Sequence, residues 1–260
     1  MKIPFYQVNA FIGNGFKGNP AGVCMIEEWL EERLMQEIAL ENNLSETAFI
    51  VKIDNYYHIR WFTPKVEVDL CGHATLASAY VILEYIEKGL KEVKFKSKSG
   101  ELPVEKKGSL LEMNFPADLI KPVELPEIIK NSLNVLPLEI YRGKTDYMAV
   151  FENEAKVRNC QPNMENLGKL DGRGIIITAK GENADFVSRF FAPQSGITED
   201  PVTGSAHTTL VPYWSEKLGK IKLTAHQLSE RGGEIFCSNL GERIGIAGLS
   251  EIYMEGYIHV

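Results

Sequence analysis

Apolar and polar positions along the chain follow two periods. Residues 2–9 are rich in Ile, Phe, Tyr and Val with partial alternation, which predicts a strand. Leu30, Leu34, Met35 and Ile38 recur at helical spacing among Glu and Arg, which predicts a helix over 28–42 with one apolar face. Two strands are predicted at 46–53 and 57–62, across the turn residues Asp54 and Asn55. Residues 74–88 are apolar almost all round and stop before Gly89, so this helix is expected to be surrounded rather than laid on a surface. Strands follow at 92–97, 101–106 and 109–115. Pro116, Pro122, Pro126 and Pro137 then interrupt the pattern and place a domain boundary near 116–125. Beyond it, strands are predicted at 138–142, 146–151, 173–178 and 185–191, with short helices around 153–159 and 163–169. A second longer helix should run from Ser205 to about Leu218, with Pro212 inside it expected to bend it or cost hydrogen bonding. Strands at 221–226, 233–237, 242–246 and 252–259 complete the chain. Many short strands with few helices describe an α+β protein in which a sheet wraps a central helix.

The two halves echo each other. Arg60-Trp61-Phe62-Thr63-Pro64 resembles Arg189-Phe190-Phe191-Ala192-Pro193, Cys71-Gly72-His73-Ala74 resembles Thr203-Gly204-Ser205-Ala206, and Gly100-Glu101-Leu102 resembles Gly233-Glu234-Ile235. The offsets are 129, 132 and 133 residues, in order, as duplication followed by small loop insertions produces. The expectation is two pseudo-symmetric domains, residues 1–118 (completed by a C-terminal strand over 250–260) and 119–249. Each half places a glycine at the start of its central helix. Glycine admits close approach of a ligand, and the free N–H groups of a helix start attract anions. Two such domains facing each other would set both helix starts across one cleft, a site for a small carboxylate. Gly72, Ala74, Gly204, Ser205 and Ala206, together with Cys71, are then expected to bind substrate.

Several side chains near those helix starts carry chemistry. Cys71 can act as a base if its thiol pKa is depressed, or can simply be a buried packing residue. His73 points where a ligand would lie, or caps the helix. Asp200 can orient substrate or cap a turn, and Ser205 matches His73 by the repeat or is an ordinary N-terminal serine. Glu46 lies between a helix and an apolar strand, where a carboxylate can have a raised pKa and carry a proton. Cys71, His73, Asp200 and His207 also fit the anion site, so no metal centre is expected. The glycine-rich Gly13–Pro20 stretch lacks dinucleotide-binding spacing and reads as a turn, and there is neither a G-x-S-x-G elbow nor a P-loop.

Composition narrows the partners. The 260 residues are 44% hydrophobic and 24% charged, which suits an ordered globular chain. A net charge of −7 argues against a general nucleic-acid binder. Cys24, Cys71, Cys160 and Cys237 form no C-x-x-C pair, so reduced thiols and a cytoplasmic location are expected. No apolar run approaches the ~20 residues of a membrane helix, and the N-terminus reads as a strand rather than a signal peptide.

The ordered motifs Gly18-Asn19-Pro20-Ala21-Gly22-Val23, Asn43-Leu44-Ser45-Glu46-Thr47-Ala48-Phe49, Arg60-Trp61-Phe62-Thr63-Pro64, Cys71-Gly72-His73-Ala74-Thr75 and Glu199-Asp200-Pro201-Val202-Thr203-Gly204-Ser205-Ala206 resemble the PhzF-like family of phenazine biosynthesis. The resemblance implies the diaminopimelate-epimerase fold, a homodimer, and cofactor-free isomerisation by proton transfer. It assigns the moving proton to Glu46 and places His73, Asp200 and Ser205 around the site. Related epimerases and proline racemases use two cysteines. Cys71 sits at the first position, whereas Thr203 occupies the second, and a threonine hydroxyl is no equivalent base near pH 7. Pro212 and Arg231-Gly232-Gly233 depart from the family pattern. The expected function is an isomerase acting on a small carboxylated, cyclic or amino-acid-like substrate. The alternatives are a single-cysteine racemase or epimerase and a non-catalytic small-acid binding protein.

Overall fold

The computed structural model describes residues 1–260, apart from the side chain of Ser195. The chain divides into two compact units, Met1–Asn114 with Ala247–Val260, and Phe115–Ile246. The sequence reading ends the first part at 118 and starts the returning segment at 250. Phe115, however, is already a buried side chain of the second unit, and the returning strand is continuous from Arg243 to His259.

The first unit contains β1 (Lys2–Ile12), β2 (Asn19–Ile26), α1 (Glu32–Asn42), β3 (Glu46–Ile53), β4 (Tyr56–Phe62), the short β5 (Glu67–Val68), α2 (Gly72–Val81), β6 (Glu92–Ser97), β7 (Gly100–Lys107) and most of β8 (Leu110–Pro116). The second contains β9 (Lys121–Pro122), α3 (Glu127–Ser132), β10 (Glu139–Arg142), β11 (Asp146–Val150), α4 (Glu154–Arg158), α5 (Met164–Leu167), β12 (Gly174–Lys180), β13 (Phe186–Phe191), α6 (Gly204–Leu218), β14 (Lys222–Gln227) and β15 (Gly233–Asn239). The last strand, β16 (Arg243–His259), contributes its first residues to the second unit and the remainder to the first. Strands β1, β2, β3, β4, β6, β7, β8 and β16 follow one another as hydrogen-bonded neighbours. Antiparallel pairing of β1 with β16, from Lys2 opposite His259 to Ile12 opposite Leu249, closes this ring into an eight-stranded barrel.

The repeat seen in sequence is a repeat of pairing. In the first unit, β1 and β2 are antiparallel, β2 and β3 parallel, β3 and β4 antiparallel, β4 and β6 parallel, and β6 and β7 antiparallel. In the second, β10 through β15 run through the same succession of directions. Parallel neighbours need a crossover, and α2 and α6 each cross from the end of one strand to its parallel neighbour.

Helix α2 packs against β1, β2 and β3, and every residue from His73 to Val81 except Tyr80 is buried. It has no polar face because none of its sides meets water. Its two hydroxyls are satisfied within the helix: Thr75 Oγ1 donates to the Cys71 carbonyl and Ser78 Oγ to the Ala74 carbonyl, each at 2.6 Å. The predicted 74–88 helix begins two residues earlier than its apolar run, and its end loosens into a π-helical turn at Ile82–Ile86 as Tyr85 and Ile86 emerge into solvent.

Helix α6 passes through Pro212 without a break. Proline withholds the N–H that would bond the carbonyl four residues back. That carbonyl, of Thr208, instead accepts the backbone N–H of Asp118 at 3.1 Å, and the Asp118 carboxylate accepts Thr209 Oγ1 at 3.0 Å. The hydrogen-bond cost expected from the sequence is therefore offset by a tertiary partner. Strand β2, which begins inside the Gly13–Pro20 stretch expected to be a turn, is a buried strand between β1 and β3. A β-carbon at Gly22 would come within 3.0 Å of the Phe5 ring. Helix α3 was also passed over, in the proline-rich stretch.

The β1–β2 connection depends on Gly18, whose φ is +68° and whose added β-carbon would collide with the Ala10 carbonyl oxygen. Gly108 has φ +67° with open space around it. Gly108→Ala should therefore cost only the left-handed backbone penalty of about 1–2 kcal/mol, and Gly18→Ala distinctly more. Urea midpoints of the two variants test this, and equal losses would show that the collision is relieved.

Candidate active site

The first unit brings three of the candidate residues together. Glu46 is the first residue of β3 and lies opposite Ala21 of β2 in a parallel pair. Cys71 is the N-cap of α2, and His73 is the second residue of that helix. Glu46 is 7% exposed and His73 4%. Glu46 Oε2 lies 3.1 Å from His73 Nε2, yet neither atom has a hydrogen-bond partner of good geometry. The two groups are at ion-pair distance without being locked to each other.

The other ring nitrogen is held. Asn19 Nδ2 stands 3.2 Å from His73 Nδ1, Ser45 Oγ donates to Asn19 Oδ1 at 3.2 Å, and Cys71 Sγ is 3.5 Å from the same Nδ1. An ionised Glu46 accepts only, so it favours the ring proton on Nε2, and the Nδ1 lone pair then receives the Asn19 amide. Burial opposes charging His73, but Cys71 and Glu46 favour the charged ring strongly enough to carry its pKa well above the usual 6.5. When the second proton arrives at Nδ1, the Cys71 sulfur is an acceptor there. Burial and the nearby Glu46 push the Cys71 thiol up to about 11. The depressed thiol pKa considered from the sequence is thus not found, and Cys71 is a neutral thiol at neutral pH.

Glu46, Cys71 and His73 offer ligand atoms within 4.8 Å of one another, a donor set of the kind that holds zinc. The carboxylate, however, addresses Nε2 and the sulfur Nδ1. No single ring nitrogen faces both.

The second unit gathers the remaining candidates at the start of α6. Gly204, Ser205 and Ala206 form its first turn, behind the N-cap Thr203. Thr203 Oγ1 donates to Asp200 Oδ2 at 2.7 Å. Ser205 Oγ accepts from Arg173 Nη2 at 3.1 Å, and that guanidinium is held by the buried Asp146 through Nε at 2.9 Å and through Nη2. Neither Cys71 nor Thr203 makes a side-chain cap hydrogen bond to its helix, although the Ala74 N–H of α2 lies against the Cys71 thiol. Asn19, Arg173, Asp146 and Gln227 were not foreseen. Asn19 lay in a recognised motif but read as a turn residue, and the other three carried no local signal.

No helix among the described residues is long and apolar enough to cross a membrane. All four cysteines are free and buried.

Comparison with known proteins places this geometry. The profile of the phenazine biosynthesis-like protein family PhzC-PhzF matches residues 8–256. An uncharacterized isomerase of Pseudomonas aeruginosa is 44% identical over 260 residues, covering all of both chains. The crystal structure of a phenazine biosynthesis protein of the PhzF family from Enterococcus faecalis superposes with a TM-score of 0.96 at 43% identity, again over all of both chains. A hydroxyproline epimerase from Agrobacterium vitis shares the fold alone, with a TM-score of 0.64 at 9% identity over 99% of this chain and 92% of its own. Fold and relatives together define an isomerase of the epimerase-like α+β class. Within that class, the chain belongs to the phenazine biosynthesis-like PhzC-PhzF family.

His207 illustrates the cost of burying a titratable group here. It is fully buried in α6, its Nδ1 donates to the Thr203 carbonyl at 2.8 Å, and its Nε2 has no partner. Burial lowers its pKa to about 4. Between pH 6.5 and 4 the unfolded chain binds a proton at this residue and the folded chain does not, so stability falls with acidification. The loss grows toward about 3 kcal/mol near pH 4. Urea unfolding at pH 7 and pH 4.5 should show a smaller loss in His207→Gln than in the wild type, and equal losses would mean that the histidine is not held neutral.

Proposed function

We propose that this isomerase moves one proton on a small carboxylate-bearing, cyclic or amino-acid-like substrate, without a cofactor, and that Glu46 takes and returns that proton. The observation that supports this most is a buried carboxylate whose Oε2 has no hydrogen-bond partner and stands 3.1 Å from a histidine ring. A buried carboxylate beside an imidazole can take a proton from a bound substrate and return it, with the ring as the neighbouring proton donor or acceptor. His73 is the assisting group. The first turn of α2, at Gly72 and Ala74, is proposed to receive the substrate carboxylate, as helix starts favour anions. Asp200, Gly204, Ser205 and Ala206 are proposed as further groups acting on substrate, Asp200 as a second acid or base.

The single-cysteine racemase reading has less support. Such chemistry needs a thiolate, and a Cys71 pKa of about 11 leaves little of it at neutral pH. Incubating the enzyme in D2O with a panel of small cyclic and amino-acid-like carboxylates, followed by proton NMR, should reveal a substrate that gains deuterium at the shifted carbon. On that substrate Glu46→Gln should lose about 10²–10⁴-fold in kcat, whereas Cys71→Ser should retain most of the activity. Full activity in Glu46→Gln, or its abolition in Cys71→Ser alone, would overturn the assignment.

A further inference from the structure

Gln227, the last residue of β14, is fully buried, and its amide is fixed in one orientation. Its Oε1 accepts the backbone N–H of Thr203 at 2.8 Å, a group that only donates. Its Nε2 donates to the Asp200 carbonyl at 2.7 Å, a group that only accepts. The same Nε2 lies 3.1 Å from Thr203 Oγ1. That hydroxyl therefore receives a proton from the amide and turns its own proton to Asp200 Oδ2, 2.7 Å away. The Thr203 carbonyl is held in turn by His207 Nδ1. The N–H, C=O and hydroxyl of Thr203 are all engaged, and the hydroxyl has one direction left in which to donate.

We propose that Gln227 is a positioning residue which, through Thr203, directs a hydroxyl proton at Asp200 and holds that carboxylate ionised and in one rotamer at the start of α6. A hydroxyl donated to a carboxylate stabilises the ionised form, and a buried chain of such bonds polarises along its length. The threonine at this place then has a role of its own: it aims the acid three residues before it. The functional meaning rests on the assignment of Asp200 in the proposed reaction, whereas the chain itself can be tested without substrate.

The test is a carbon-13 NMR titration of the Asp200 carboxyl in the full-length protein, with its resonance assigned by Asp200→Asn. Arg173, whose charge also acts on Asp200, stays in place throughout. Thr203→Val removes the donated proton and should move the Asp200 titration to higher pH. Thr203→Ser should restore it. Gln227→Met adds no charge and removes the amide that leaves the Thr203 hydroxyl one direction in which to donate, so Asp200 should again titrate at higher pH. If Thr203→Val does not fold, Gln227→Met against wild type carries the same comparison. A lowered melting temperature with the Asp200 titration unmoved would make Gln227 merely structural and overturn the proposal, as would Thr203→Ser behaving like Thr203→Val. If the titration shifts as expected but Thr203→Val turns over substrate at the wild-type rate, the positioning chain stands and the catalytic assignment of Asp200 falls.

Discussion

Parallel neighbours in a sheet must be joined by a crossover, and two of the crossovers here, α2 and α6, are helices buried in their own units. A helix surrounded by strands can carry almost nothing polar along its length. Its hydroxyls fold back onto its own carbonyls, as Thr75 and Ser78 do. The first turn is the exception, because its N–H groups have no intrahelical acceptor whatever surrounds them. Polar chemistry is thereby confined to the start of α2 and the start of α6. Glu46, Cys71 and His73 meet at one start, and Asp200, Thr203 and Ser205 at the other.

The duplicated frame carries two different solutions to the burial of polar groups. In the first unit a carboxylate and an imidazole are buried at ion-pair distance, and the cost of burying either charge alone is met by the other. Glu46 Oε2 and His73 Nε2 in that pair nevertheless have no hydrogen-bond partner of good geometry. In the second unit the neutral groups Gln227, Thr203 and His207 form a hydrogen-bonded network with Asp200 at its end, and His207 Nε2 is left without a partner. A charged version of the same first turn, with cysteine and histidine in place of Thr203 and Ser205, would leave that network without its hydroxyl.

The class of fold was readable because two signals reinforced each other: an all-apolar helix over 74–83, and an ordered repeat around Gly72 and Gly204. Elements were lost where local chemistry contradicts tertiary need. Strand β2 contains Pro20 and Gly22, which are poor strand formers, yet a glycine is required beside the Phe5 ring. Pro212 looked like a defect in α6, and the backbone N–H of Asp118 turns the carbonyl it frees into a useful acceptor. From its own neighbours Glu46 is only a carboxylate between a helix and an apolar strand. Only its parallel pairing with β2 and its approach to α2 bury it.

By itself the sequence determined what is periodic or repeated: the alternation that makes strands, the apolar run that must be enclosed, the duplication, and the glycines at two helix starts. These depend on near neighbours along the chain or on similarity at a distance, both of which a linear string preserves. Which side chains touch was decided by the tertiary structure. Asn19 stands 54 residues from His73, and Gln227 stands 24 from Thr203. Their alignment follows from strand register and helix placement rather than from spacing. The direction of each proton was decided there too: Gln227 can be oriented only by the two backbone groups that fold around it, and His73 only by what faces its two nitrogens.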